Sequence, residues 1–290
     1  LIVDLAPPAI TVTSMVTANQ RPALSGTIDD PEAAITLTLA GQTYSVTNPG
    51  DGTWNLPGTS LVSPLAGGTY DVVVRATDVA GNEGVDTSTG ELVVDLSPPV
   101  ITVTPLVTSE QQPTLTGTID DPQATITVTL AGQEYSVANP GDGTWSLQGS
   151  DLAATLAEGT YDVIVTATDA VGNEATDTST GELVIDLTAP VVTVNALVTN
   201  DPRPTLTGTI DDPQASITVF LDGQTYAATN SGDGTWTLPG SDLVAPLAGG
   251  TYDVTVTATD SVGNATSDTS TDELIVDLSA PAITVHALLT

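Results

Sequence analysis

Three sets of oxygen-bearing side chains recur at fixed positions and carry most of the chemistry this sequence can do. Asp29-Asp30, Asp120-Asp121 and Asp211-Asp212 are adjacent carboxylates followed by proline. Asp78 and Asn82, Asp169 and Asn173, and Asp260 and Asn264 are acid–amide pairs four residues apart, separated by a Gly-containing loop. A third set, Asp4, Asp95 and Asp186, opens a short Asp-Leu segment that runs into proline. Side-chain oxygens in this number suit calcium, which takes six to eight hard oxygen ligands in flexible geometry, whereas magnesium demands a stricter octahedron and zinc favours His or Cys. The competing reading is that Asp and Asn in loops cap turns through local hydrogen bonds. For Asp51-Gly52, Asp142-Gly143 and Asp233-Gly234 the turn reading is preferred, because Asp-Gly is a tight-turn pair.

Other chemistry is poorly provided for. The chain has no Cys, no Lys and a single histidine, His286, in a strand-like run near the C-terminus. No Ser-His-Asp or Cys-His arrangement can therefore recur per unit. The paired acids are sequence neighbours, which seldom face one another across a sugar. No EF-hand spacing and no Gly-rich nonapeptide is present. The sequence reads as a non-enzyme.

The candidate residues are positioned by a repeat. The segment at Asp4 returns at Asp95, Asp186 and Asp277, a constant interval of 91 residues across a chain of 290. Each interval is long enough to bury its own core. The expected organisation is 1–94, 95–185 and 186–276 as three modules, with 277–290 beginning a fourth. A count from Ala18 gives three repeats equally well, and a lone strand over 282–288 would have no sheet to join. Leu1-Ile2-Val3-Asp4 matches Leu92-Val93-Val94-Asp95, so the sequence is expected to be cut from a longer array, with any targeting segment outside it.

Composition narrows the partners. Thirty-six acidic residues against three arginines (Arg21, Arg75, Arg203) give a formal net charge of −33. Such a chain repels nucleic acid, and no run of about 18 apolar residues is available for membrane insertion. The same charge opposes close approach of neighbouring modules unless ions screen it, over a Debye length of about 8 Å at physiological salt.

Within a repeat the pattern is all-β. Apolar residues alternate with Thr over 35–39, 126–130 and 217–221, the period of half-buried strands. Thr, Val, Gly and Pro dominate, with turn signals every 8–12 residues, as in a sandwich. In the first repeat the expected strands are A (9–16), B (22–28), C (34–40), C′ (42–48), E (53–57), F (69–77) and G (86–94). Leu61 and Leu65 suggest one helical turn, matched by Leu152 and Leu156 and by Leu243 and Leu247. On strand F, Tyr70, Val72, Val74 and Ala76 share one face, and Tyr70 stands where a sandwich places its corner tyrosine. One Trp (Trp54, Trp145, Trp236) and two Tyr per repeat are read as core. Phe220 replaces the outward Thr38 and Thr129, and a cross-strand packing role is preferred over a binding spot.

This strand order gathers the acids. The B–C, C′–E and F–G loops lie at the pole where the chain enters, beside the linker, and the C–C′ and E–F loops lie at the outgoing pole. Asp4, Asp29, Asp30, Asp78 and Asn82 thus meet in the first repeat, Asp95, Asp120, Asp121, Asp169 and Asn173 in the second, and Asp186, Asp211, Asp212, Asp260 and Asn264 in the third. Ala265 stands where Glu83 and Glu174 stand, so a Glu is not required there.

Gly26-Thr27-Ile28-Asp29-Asp30-Pro31, Asp51-Gly52-Thr53-Trp54 and Gly68-Thr69-Tyr70-Asp71 running to Gly81-Asn82 resemble the bacterial Ig-like repeats of giant RTX and biofilm-associated cell-surface adhesins, including the extender of a marine ice-binding adhesin. The resemblance spans every repeat. It implies an extracellular stalk at a bacterial cell surface, built of sandwiches rigidified by calcium at their junctions, with the distal ligand bound outside this segment. Tandem Ig-like sandwiches forming a rod are therefore expected, at roughly 40 Å per repeat from strand length. The rival expectation is a calcium-dependent recognition module for a glycan, a receptor or itself, which would need an exposed patch.

Overall fold

The computed structural model describes residues 4–284; His286 and most of the expected 282–288 strand lie outside them. Chain contacts define two compact units, one of residues 1–104, Thr114–Asp151 and Asp162–Glu182, the other of Pro105–Pro113, Leu152–Tyr161 and residues 183–290. The division runs through the second repeat.

The first repeat, in the first unit, comprises β1 (Met15–Thr17), β2 (Leu24–Thr27), β3 (Ala34–Leu39), β4 (Gln42–Val46), β5 (Thr53–Leu56), β6 (Gly68–Tyr70), β7 (Val73–Thr77), β8 (Glu83–Val85) and β9 (Leu92–Val94). One sheet has the order β4-β3-β7-β8; β2-β5 and β1-β9-β6 make two further sheets. The Thr alternation on β3 puts Ile35, Leu37 and Leu39 inside with Val74 and Ala76 of β7, against Leu24, Trp54, Leu56, Leu92 and Val94. The β3–β4 hairpin turns through Ala40 and Gly41, both at positive φ (49° and 77°). Two such residues give the turn whose twist matches the flanking strands. Burial of these side chains is the main stabilising term, at about 1.5–3 kcal/mol for each large aliphatic.

Two expected strands are broken in two and a third is shortened. Strand A divides into a bridge at Ile10, which pairs with Ile28, and β1, which pairs parallel with β9. Strand F breaks between β6 and β7, and the expected strand G is β9 alone, preceded by β8. In each case the chain crosses from one sheet to another; the alternation of buried residues continues from Tyr70 to Thr77, whereas it is interrupted at Thr13-Ser14 and between Val85 and Leu92. The expected helical turn is a 3-10 turn slightly earlier, Gly58–Ser60, with Leu61 and Leu65 buried beyond it.

The same elements recur. In the first unit, Ile101–Val103, Leu115–Ile119 and Thr144–Leu147 form one sheet; Gln133–Val137, Thr125–Leu130, Val163–Thr168 and Glu174–Thr176 form another. In the second unit, Leu106–Thr108 pairs parallel with Leu183–Ile185. The third repeat lies wholly in this unit, and one sheet of seven strands starts at Val192–Val194 and ends at Ala265–Asp268. Its core centres on Trp236, Val219, Leu221, Val256 and Leu274. No described helix is long and apolar enough to cross a membrane.

Candidate functional site

In each repeat hydrogen bonds tie the B–C loop and the F–G loop to the incoming linker. In the first repeat Asp29 Oδ1 accepts from Ala9 N at 2.7 Å, joining the B–C loop to the incoming linker. Asp4 Oδ1 accepts from Ala6 N and Asp30 Oδ1 from Glu32 N, both as local turns. Asp78 is gripped by one residue: Asn82 donates its backbone N–H to Oδ1 and its amide to Oδ2, at 2.8 and 2.7 Å. The amide also donates to the Asp4 carbonyl at 3.2 Å, so Asn82 ties the F–G loop to the linker.

The second and third repeats repeat these bonds. Asp120 and Asp211 accept from Val100 N and Val191 N at 2.7 Å. Asp95, Asp121, Asp186 and Asp212 each close a local turn. Asn173 and Asn264 clasp Asp169 and Asp260 while donating to the Asp95 and Asp186 carbonyls at 3.0 and 2.9 Å. In the third repeat Asp186, Asp211, Asp212 and Asp260 line one cleft of about 290 Å³, with Thr188, Ala189 and Pro190. The linker there is held from its other side too, since Thr188 Oγ donates to Glu158 Oε1 at 2.8 Å.

The side-chain hydrogen bond from Asn82 holds the Asp78 carboxyl below the usual aspartate range. For Asp169 and Asp260 burial pushes the other way, but the bonds from Asn173 and Asn264 outweigh it. These acids are ionised at neutral pH. The donors here are all hard oxygens, the kind calcium takes, and the linker and B–C loop aspartates each commit one oxygen to a turn or linker bond. Among the described residues, however, no three acidic or histidine side chains form a group that would hold a metal by themselves. The amide groups of Asn82, Asn173 and Asn264 act as tethers. The Asp-Gly positions are turns: Asp51, Asp142 and Asp233 accept from both the N–H and the hydroxyl of the Thr two residues on.

Sequence reasoning missed a second acidic set, at the strand crossings. Glu91 Oε2 accepts from Val72 N at 3.0 Å, where strand F leaves one sheet for another. Asp86 Oδ2 accepts from Val12 N at 2.6 Å, at the crossing of strand A, and Asp71 Oδ1 from Gly90 N at 2.8 Å. Backbone donors that lose their ladder partner at a crossing are thus satisfied by carboxylates. The available signal was an Asp-Thr-Ser-Thr-x-Glu run, repeated at 86–91, 177–182 and 268–273 inside an otherwise strand-like stretch.

The aromatic residues are structural. Trp54, Trp145 and Trp236 are buried and donate Nε1–H to the carbonyls of Thr11, Thr102 and Thr193 at 2.8–2.9 Å. A Cβ on Gly26 would stand 1.9 Å from Thr11 O and 2.6 Å from the Trp54 indole nitrogen, so only glycine fits beneath the ring. Tyr70, Tyr161 and Tyr252 donate to the carbonyls of Ala66, Ala157 and Ala248, four residues upstream, as a corner tyrosine does. Phe220 is 50% exposed, opposite Thr225 and Thr255.

Split A strands, corner tyrosines and buried tryptophans define this chain as a tandem array of immunoglobulin-like β-sandwich modules, a structural architecture with no catalytic motif in its sequence. The chain belongs to the bacterial Ig-like domain family, whose model matches residues 3–96, 103–187 and 193–278. A group 3 bacterial Ig-like model also matches 151–225. No curated protein matches.

Among solved structures, the chain is similar to a tetra-tandem repeat in the extending region of a large adhesion protein, with 28% identity over 93% of this chain and 74% of that one, at a TM-score of 0.34. It is also similar to the chicken CNTN1 FN1–FN3 domains (15% identity, 93% and 98% covered, TM-score 0.34) and to the I9–I11 tandem of titin (12%, 93% and 98%, TM-score 0.31).

Proposed function

We propose that this chain is a structural extender segment of a large secreted bacterial adhesin of the RTX or biofilm-associated kind, spacing a distal adhesive domain from the cell surface. Its modules, 1–94, 95–185 and 186–276, are the partners of one another. Calcium at the junctions sets the spacing. The observation that carries this reading is the linker between the second and third repeats: Asn264 holds the Asp186 carbonyl, Glu158 holds Thr188, and four aspartates line the cleft beside them.

In the third repeat Asp186, Asp211, Asp212 and Asp260 would hold the ion, and it would supply positive charge that cancels their mutual repulsion. The corresponding residues in the other repeats are Asp4, Asp29, Asp30 and Asp78, and Asp95, Asp120, Asp121 and Asp169. The prolines after each linker Asp restrict the same segment by fixing φ. A chain built this way acts mechanically, through length and stiffness.

The test is thermal melting with calcium and with chelator, for the native chain and for Asp211→Asn/Asp212→Asn. Calcium should raise the melting temperature of the native chain, and the double variant should lose part of that rise. An identical calcium response in both contradicts the placement of the ion. The exposed Phe220 favours a second reading, a recognition surface on the third repeat. Glycan or cell binding by the isolated chain, abolished by Phe220→Thr, would promote it.

A further inference from the structure

Each repeat buries one carboxylate whose charge the protein leaves unanswered. Glu91, Glu182 and Glu273 are only 3%, 5% and 5% exposed. One oxygen of each accepts from a backbone N–H at 3.0 Å, Val72, Val163 and Val254 respectively. The other, Oε1, is buried in all three repeats with no hydrogen-bond partner. Burial pushes the Glu91 carboxyl up, but the nearby Ser88 hydroxyl, whose own proton goes to Asp86, and the Val72 N–H outweigh it and leave the group below its ordinary value. Glu182 follows the same pattern, lowered by the Val163 N–H and the nearby Ser179 hydroxyl.

A second carboxylate stands beside Glu91 and Glu182, and the third repeat carries Asp268 at the equivalent position. Asp86 and Asp177 lie near enough for their charge to oppose ionisation of Glu91 and Glu182. Ser88 Oγ donates to Asp86 Oδ1 at 2.6 Å, as Ser179 does to Asp177 and Ser270 to Asp268, at 2.5 and 2.6 Å. Among the described residues no basic side chain serves these pairs. Arg75 bridges to Glu83, Arg21 and Arg203 donate to the carbonyls of Leu61 and Leu243, and the chain has no lysine. A buried ionised oxygen without a donor points to an ion or water that completes it.

We infer that the Asp-Thr-Ser-Thr-x-Glu segment of each repeat is a second cation site, in which the orphaned Glu oxygen, the Ser hydroxyl and the neighbouring Asp take a hard cation of the calcium type. Oxygen is the only donor these three residues offer, which suits calcium rather than zinc. Ser88 is exposed, so the site opens to water on its Ser and Asp side, while Glu91 Oε1 closes its buried end. This site is distinct from the junction. It lies inside a module, where strands A, F and G cross between sheets, and its ion stabilises the module itself.

The experiment counts bound calcium per native chain at saturation, by equilibrium dialysis and elemental analysis. The triple variant Glu91→Gln/Glu182→Gln/Glu273→Gln keeps an oxygen acceptor for each Val N–H and removes the charge. It should bind three fewer ions than the native chain, while Asp211→Asn/Asp212→Asn should retain those three. Each single Gln variant, checked for folding by circular dichroism, should lose one ion, and this series decides if the triple variant does not fold. Unchanged stoichiometry in the folded Gln variants overturns this site and leaves the junction reading intact. A native chain that binds no calcium overturns both.

Discussion

The acids at the pole and the acids at the strand crossings are the same residue types in one repeat, yet their surroundings give them opposite work. Asp29, Asp30 and Asp4 sit on loops, each spending one oxygen on a turn or linker bond, with Asp4 and Asp29 exposed. Glu91 and Asp86 sit where strands change sheet, and they complete backbone donors that lack a ladder partner. Removing a pole acid therefore takes away a charge that water solvates well. Removing a crossing acid strands a buried N–H. The difference teaches that an acidic residue's contribution here is set by which backbone group it serves.

The largest effect should come from Glu182→Ala, which leaves Val163 N without an acceptor. The expected cost is about 1–3 kcal/mol, the penalty for a buried unsatisfied donor, read as a lower urea midpoint. Next comes Asp177→Ala, which frees Val103 N and Ser179; roughly 1 kcal/mol is expected from net hydrogen-bond values. Asn173→Ala should cost less than either, because it loosens the Asp95 carbonyl and the exposed Asp169 loop without opening the core. In chelator, Asp120→Ala or Asp121→Ala should fall within about 1 kcal/mol of the native chain. A pole variant that destabilises more than Glu182→Ala under those conditions would invert the comparison.

Acid titration sharpens it further. Asp78, Asp86, Glu91, Asp169, Asp177, Glu182, Asp260 and Asp268 all have carboxyl pKa values depressed in the folded state. A depressed carboxyl stabilises the fold above its unfolded pKa, about 4, and the benefit disappears as pH falls through the folded value. Melting temperature in chelator should be flat from pH 7 to about 5 and drop below about 4. Glu182→Gln should flatten that drop more than Asp121→Asn.

Much of the fold was legible because it is local. Thr alternation located the core strands, and Ile35, Leu37 and Leu39 are buried as their spacing requires. The Tyr at the start of strand F, the buried Trp and the Asp-Gly turns each follow from a short motif. The strand order alone placed the linker next to the B–C and F–G loops, to which Asp29 and Asn82 bind it. The crossings were not legible: strand F keeps its period of two from Tyr70 to Thr77 while it changes sheet, and Glu91 serves a donor 19 residues away.

One difference between repeats lay in plain view. Pro140 has no N–H, and a cleft of about 460 Å³ lies between the strands on either side of it. In the third repeat Ser231 stands at that position, donates to Thr235 O at 3.0 Å, and strand Gln224–Asn230 joins Thr235–Leu238 in one sheet.

The central claim is that the pole acids make each repeat one half of a calcium-set joint. Small-angle scattering of the native chain, with calcium and then with excess chelator, tests it most directly. The account predicts a longer maximum dimension and a stiffer profile in calcium, on the order of 120 Å for three modules of strand length, and a shorter, more flexible average in chelator. Profiles that superimpose in the two conditions would contradict it.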